Sequence, residues 1–364
     1  MKKQILYLHG RPSSHFLHRG LANSLGVDSE FVDKKYRWQD QNFGPIKNFY
    51  AWFVNAFYYR KYVNYDFILL DGLHFSPIIA KKIGVLPKRI KIISHMGNQL
   101  PYFMLSNQLP LYSRILHKWL FNNYDYIFCE GDMIKEIIIK VNPNIKTPLL
   151  SVFTGPLNSR VELLRKLKPE FKNYNIITIA SGPGEGRIYY KGLDIMIGSF
   201  IKAKKYLPLL KYYILGEWSN EDIKYLSATY RSEEFENIFF VGNKPDMTDY
   251  LKYIQNSDLS IHLARGDAFP GSTTEAMHAG VPVIISNYTG TKQILNQVNS
   301  NLIVNLSQDE LAEKIIWYFN LPIEEKMELS SKLKEISIYY TEENAIKLYK
   351  ETFNKINTNE TNNI

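Results

Sequence analysis

The stretch Asp267-Ala-Phe-Pro-Gly-Ser-Thr-Thr-Glu275, continuing as Ala276-Met-His-Ala-Gly-Val-Pro-Val-Ile-Ile-Ser286, decides the fold class. It reads as a loop that opens into a short helix, then a turn, then a buried strand. One acid, Asp267, stands before the loop, and a second, Glu275, lies inside the helix. Between them Gly271, Ser272 and Thr273 place small residues and unpaired backbone N–H groups at a helix N-terminus. Those donors and the positive end of the helix dipole suit a phosphate. The acid one or two turns further on can accept hydrogen bonds from sugar hydroxyls. A diphosphate flanked by two polyols is the outline of a nucleotide sugar.

The same stretch resembles the acid-x7-acid motif of retaining GT-B glycosyltransferases, above all the family 4 (group 1) members. That motif usually reads Glu-Gly-Phe-Gly-x-x-x-x-Glu-Ala-Met-Ala-x-Gly-x-Pro-Val-Ile. Here Asp267 replaces the first Glu, Ala268 and Pro270 replace the two Gly, and Phe269, Glu275, Ala276, Met277, Gly280 and Pro282 fit. An ordinary βαβ turn with solvated acids is the competing explanation, and the length of the match in one register argues against it. The resemblance extends through Tyr213-Ile-Leu-Gly-Glu217, Phe239-Phe-Val-Gly242 and Thr289-Gly290-Thr-Lys-Gln293-Ile-Leu295, covering about residues 175–300.

Gly186-Arg187-Ile-Tyr-Tyr-Lys191-Gly192 resembles the family's basic pair, with one residue fewer between the cations. Breaking an anomeric bond leaves a diphosphate, and fixed positive charge stabilises what develops on it. Arginine grips phosphate oxygens as a fork and lysine acts as a point charge. The resemblance implies that Arg187 and Lys191 serve the leaving group, Asp267 the transferred sugar, and Glu275 the ribose. Gly271, Ser272 and Thr273 would meet the diphosphate through their N–H groups, with Phe269 also in the donor site. Asp267 is one methylene shorter than the usual Glu, so the sugar contact is either remodelled or water-mediated. The resemblance implies no metal and no cofactor beyond a UDP- or GDP-sugar donor, front-face attack, and a cleft that closes on the donor.

The bulk properties set the frame. A chain of 364 residues suits two domains, and 45% apolar with 22% charged residues describes a globular protein. No apolar run approaches the length of a membrane span. The N-terminus reads as a first strand rather than a signal peptide. A single cysteine, Cys129, excludes an intrachain disulfide and a cysteine-rich metal site, so the cytoplasm is the expected compartment. The net charge of +8 is scattered, without a basic run, so nucleic acid is not the expected partner. An anionic small ligand, a lipid head group or a membrane surface suits that charge.

Alternating strands and helices predict an α/β fold: two Rossmann-like doubly wound domains facing a cleft, with the C-terminal helix crossing back to the N-terminal domain. Strands are expected at Gln4–Leu8, Phe67–Leu70, Ile90–Ser94, Tyr126–Cys129 and Ser151–Phe153. A second series covers Ile176–Ala180, Tyr212–Leu215, Ile238–Val241, Leu259–Leu263, Val283–Ile285 and Leu302–Val304. The expected divisions are an acceptor domain over 1–165, a donor domain over 170–325, a helix over 326–355 and a disordered tail over 356–364. Thr154–Phe171 is the expected link.

Fewer residues stand out in the N-terminal half. Its first strand ends in His9-Gly10-Arg11-Pro12-Ser13-Ser14, and Gly10 is a candidate for close approach to the donor phosphates. His95 follows a strand at its C-terminal end, where α/β proteins bind ligands. The resemblance implies a role for it beside the sugar, and a structural histidine is the alternative. The segment Ile46–Tyr62 is crowded with aromatics beside Lys47, Arg60 and Lys61. Helical spacing makes part of it a core face, and the same composition suits peripheral contact with a membrane. The expected activity is sugar transfer from a nucleotide-diphosphate sugar to a glycan or lipid-linked acceptor, in the cytoplasm or at the inner membrane face. The rival is a non-catalytic nucleotide-sugar-binding subunit.

Overall fold

The computed structural model describes residues 4–9, 26–31, 45–182, 184–243 and 246–357. Its chain forms two units: Met1–Phe153 with Ala345–Ile364, and Thr154–Asn344. Each contains one six-stranded sheet in which every pairing is parallel. Parallel sheets need helical crossovers that cover both faces, so their strands read as near-continuous apolar runs.

In the first unit the strands are β1 (Ile5–His9), β2 (Asp28–Phe31), β3 (Phe67–Asp71), β4 (Lys91–Met96), β5 (Tyr126–Glu130) and β6 (Leu149–Val152). They lie in the order β2-β1-β3-β4-β5-β6. The sequence expectation lacked β2. Its segment Asp28-Ser-Glu-Phe31 is mostly polar and, among the described residues, pairs only with β1 at the sheet edge, so no apolar run announces it.

The last helix, Glu342–Asn357, belongs mainly to this unit. Tyr349, Phe353 and Ile356, spaced for one helical face, enter a core with Tyr7, Phe67 and Phe128. The rings of Phe128 and Phe353 meet edge to face at 5.2 Å. Burying one such ring contributes about 2 kcal/mol, so the chain's end is part of this sheet's stability.

The expected single helix over 326–355 is two helices, Ile323–Ser337 and Glu342–Asn357. Tyr340 marks the break. Its ring packs 5.7 Å from that of Phe269, its carbonyl meets Nε2 of His278 at 3.1 Å, and the N–H of Glu342 donates to the Pro156 carbonyl. The boundary also falls earlier than 165–170, at Phe153/Thr154, because the helix Asn158–Arg165 packs inside the second unit through Val161 and Leu164. The expected tail begins later than 356: the helix runs to Asn357, and residues 358–364 lie outside the described residues.

The second unit holds β7 (Asn175–Ile179), β8 (Lys211–Leu215), β9 (Ile238–Gly242), β10 (Leu259–His262), β11 (Val283–Ser286) and β12 (Ile303–Val304). Their order is β12-β11-β10-β7-β8-β9. The chain winds outward one way from β7 and the other way from β10. At such a switch point the loops after the two strands part, leaving a crevice at their C-terminal ends. The residues singled out in sequence leave the sheet at those two ends.

Candidate active site

The loop after β7 leads into the helix Glu185–Lys191, which stops at Gly192 in the left-handed conformation (φ 72°). A Cβ on Gly192 would stand 2.0 Å from the Leu263 carbonyl oxygen just beyond β10. Glycine therefore lets this corner lie against the neighbouring strand's exit and fixes where Lys191 points. Replacing Gly192 with Ala combines the left-handed penalty with overpacking, about 3 kcal/mol in total. The expected outcome is a clearly lowered Tm together with loss of activity, measured by thermal unfolding and donor turnover.

Lys191 Nζ donates to Asp267 Oδ2 at 2.7 Å, with both side chains 14% exposed. His262, at the end of β10, places Nε2 3.0 Å from the same oxygen. Burial would raise the Asp267 pKa, but the Lys191 ammonium and then His262 outweigh it and hold the carboxyl far below its usual range. Burial pushes the His262 pKa down, against the pull of Asp267. The neutral ring facing a carboxylate must carry its proton on Nε2. The backbone of Asp267 is held too, its carbonyl accepting from the Gly290 N–H at 2.9 Å. A Cβ on Gly290 would overlap the Ala268 carbonyl oxygen at 1.3 Å. Only glycine lets the two loops touch there.

Glu275 sits in the helix Gly271–Ala279 and is 6% exposed. Its Oε1 accepts from Arg160 Nη1 at 2.7 Å, and its Oε2 accepts from the Tyr250 hydroxyl. Burial, followed by the Glu275 charge, drives the Tyr250 pKa well up, so the phenol stays a donor. Burial lowers the Arg160 pKa, and Glu275 more than reverses this.

These groups border a pocket of about 370 Å³. Arg160, Arg187 and Lys191 bring three cations to it, and Gly271, Ser272 and Glu275 form the helix-end side. Arg187 is anchored by an Nη2 bond to the Ser181 carbonyl at 3.0 Å and lies 5.0 Å over the Tyr190 ring. Three cations, one carboxylate and a helix N-terminus favour a polyanion that also carries hydroxyls.

The structure thus gathers Arg187, Lys191, Asp267, Gly271, Ser272 and Glu275 from separate parts of the sequence. Thr273 differs from expectation: it is 1% exposed, and both its N–H and its hydroxyl bond the Pro270 carbonyl, at 3.2 and 2.8 Å. The first turn closes on itself there, so Thr273 supports the loop from inside. Phe269 is 4% exposed and packs on Tyr340 as a buried anchor for the loop. His95 belongs to the first unit, buried in β4, with Nε2 2.6 Å from the Tyr349 hydroxyl, and burial pushes its pKa down. Gly10 lies outside the described residues.

Three participants escaped the sequence reading. Arg160 lies in the segment read as a link, Tyr250 on an amphipathic helix, and His262 in a buried apolar strand. Only the basic character of the supposed link offered a signal.

Residues 185–336 match the family model described as glycosyl transferases group 1. No curated protein matches the sequence. Among solved structures, the chain is similar to Anabaena HepE in complex with UDP and glucose, at 14% identity and TM-score 0.64 over 98% of this chain and 99% of that one. It is similar to a UDP-forming trehalose-phosphate synthase of Burkholderia xenovorans, at 11% identity and TM-score 0.68 over 96% and 98%. A glycosyltransferase of Rickettsia africae gives 14% identity and TM-score 0.66 over 98% and 99%. The fold is therefore shared along nearly the whole chain, while the family match spans Arg187 through Glu275. Together they show a fold shared with GT-B glycosyltransferase structures along the chain and a match to the glycosyl transferases group 1 model over residues 185–336.

Proposed function

We propose that this chain is a retaining, family 4-like glycosyltransferase that moves a sugar from a UDP- or GDP-linked donor to a hydroxyl acceptor. The observation that carries this reading is the pocket joining three cations, a helix N-terminus and the carboxylate of Glu275. Arg187 and Lys191 neutralise the departing diphosphate, and Arg160 adds a third charge at the same pocket. The Gly271 and Ser272 N–H groups meet phosphate oxygens, and Glu275 accepts from the ribose hydroxyls. Asp267 aims the Lys191 ammonium and serves the sugar, directly or through water. From the resemblance alone, His95 joins this set.

In the reaction, the bond from the acceptor oxygen to the anomeric carbon forms on the face from which the phosphate oxygen leaves. The acceptor's hydroxyl proton passes to that phosphate oxygen, so configuration is kept without a protein nucleophile. Fixed cations stabilise the charge as it grows, at little cost in reorganisation. The proposed product is a surface glycan, polysaccharide or glycolipid made in the cytoplasm, with a lipid-linked acceptor met at the inner membrane face. No helix among the described residues is long and apolar enough to cross a membrane, so such contact would be peripheral.

A thermal-shift screen with UDP, GDP, ADP and CMP tests the donor site. A ligand specific to the folded state adds about 2.7 kcal/mol at a hundredfold excess over Kd. One nucleoside diphosphate is expected to raise Tm, and its sugar conjugate to be hydrolysed or transferred. Binding without turnover would make the chain a nucleotide-sugar-binding subunit, and no shift with any nucleotide would remove the donor-site assignment.

A further inference from the structure

Far along the chain from the donor pocket's residues, the first unit carries a surface of different chemistry. The helix Pro45–Ala56 buries Trp52 and Ala56 but turns Phe49, Tyr50 and Phe53 outward, and Phe57 follows in the next turn. On the helix Leu111–Phe121, Leu111, Ile115 and Trp119 are also exposed. These seven apolar side chains are between 40% and 71% accessible. An apolar groove of about 280 Å³ joins the two helices, with Phe49 and Trp52 from the first, Leu116 and Trp119 from the second, and Phe75 and Ile79 between them. Trp52 stacks on Phe75 at 4.0 Å, which makes its floor rigid. Monomeric soluble proteins rarely leave so contiguous an aromatic face in water.

The charged residues of the helical segments that carry this face have one sign. The segments Pro45–Ala56, Phe57–Tyr62, Phe75–Lys82 and Leu111–Phe121 together hold seven Lys or Arg residues and no Asp or Glu. Two nearby acids are already engaged, Glu30 with Lys61 and Asp125 with Lys81. Arg60 and Lys118 are exposed, and Lys82 edges the groove itself. Aromatic rings flanked by cations match the interface of an anionic bilayer, where rings sit at head-group level and Lys or Arg meets lipid phosphate. A second copy fits poorly: a two-fold contact would press the same cations on themselves, and the two nearby acids among the described residues are already paired.

We propose that this face, centred on Phe49, Phe53, Phe57 and Trp119, docks the protein onto an anionic phospholipid surface. It deepens the peripheral contact named above by assigning the residues that make it, and it stands apart from the donor chemistry because it is read without nucleotide.

The test is co-sedimentation of the full chain with vesicles of phosphatidylcholine alone or mixed with phosphatidylglycerol. Binding is expected to the mixed vesicles, weak or absent on the zwitterionic ones, and weakened by salt. Phe49→Ser/Phe53→Ser/Phe57→Ser is expected to lower partitioning on the order of a hundredfold. Lys82→Gln with Lys118→Gln is expected to lower it about fivefold per charge, on mixed vesicles only. Circular dichroism and donor hydrolysis without lipid should be unchanged in both variants, since none of these residues lines the donor pocket. Wild type that ignores both vesicle types overturns the proposal, as does a triple serine variant that binds like wild type. Self-association that disappears in the triple variant, without vesicle binding, assigns the face to a second copy. Wild type that turns over donor but binds no vesicles would sink docking alone, and wild type that binds vesicles but no donor would sink only the donor reading.

Discussion

Lys191→Ala is expected to lower kcat on the order of a thousandfold, the upper range for removing one fixed group that stabilises developing charge. Two effects combine. The leaving diphosphate loses an ammonium that Asp267 had aimed at the pocket. Asp267, with its side chain only 14% exposed, loses its charged partner and keeps only His262. Removing one partner of a buried pair costs more than the pair itself contributes, so stability falls as well. The pH dependence separates the two effects. A carboxyl whose folded pKa is depressed adds stability that is present above its unfolded value, roughly 4. That stability is lost as pH falls through the folded pKa. Wild type should therefore keep this contribution deep into acid, whereas the variant, its Asp267 released upward, should lose it at a higher pH. Lys191→Arg preserves the ion pair and is expected to recover acid tolerance more fully than kcat, because a guanidinium places its charge differently from an ammonium. Steady-state turnover and urea unfolding from pH 3 to pH 7 measure both. A kcat within a few-fold of wild type in Lys191→Ala would show that Lys191 only supports Asp267.

What was readable in the sequence follows from how each part is solvated. Ile176, Ile177, Leu259, Ile261, Val283 and Ile284 are buried on both faces of a parallel sheet, and their apolar runs announce it. β2 is polar at an edge and announces nothing. At the site, Gly192, Asp267, Gly271 and Glu275 share short segments whose spacing carries meaning, so local reading finds them. Arg160 meets Glu275 across 115 positions, and Tyr250 reaches it across 25 from another helix. Neither has a local pattern, since nothing about an arginine on a short helix says which carboxylate it will face. The break at Ile338–Thr341 was hidden for a different reason. No Gly or Pro marks it, and Tyr340 is drawn inward by Phe269 and His278, a tertiary pull that propensity does not contain.

Glu275→Gln is expected to raise the donor KM about a hundredfold while leaving kcat within a few-fold. A carboxylate has four lone-pair positions, and Arg160 and Tyr250 occupy one on each oxygen. Two remain for the ribose hydroxyls proposed above, so these neighbours orient the carboxylate rather than block it. The amide keeps the shape but replaces one oxygen with a donor, which cannot accept from a hydroxyl or from Tyr250. Because the ribose stays in place while the anomeric bond breaks, its contacts are equally strong in ground and transition states. Such uniform binding appears in KM and spares kcat. Glu275→Ala should match that KM and also unfold more readily, since the Tyr250 hydroxyl, in a residue 8% exposed, loses its acceptor at about 1–3 kcal/mol. Tyr250→Phe removes the donor and leaves the buried Glu275 Oε2 without it, so it should cost a comparable amount of stability and show only a modest rise in KM. Arg160→Ala discriminates between roles. If Arg160 merely orients Glu275, KM rises less than in Glu275→Gln and the nucleoside alone is still bound. If nucleoside binding survives in Glu275→Gln but diphosphate affinity collapses in Arg160→Ala, then Arg160 is the donor contact and Glu275 its support, and the ribose assignment falls.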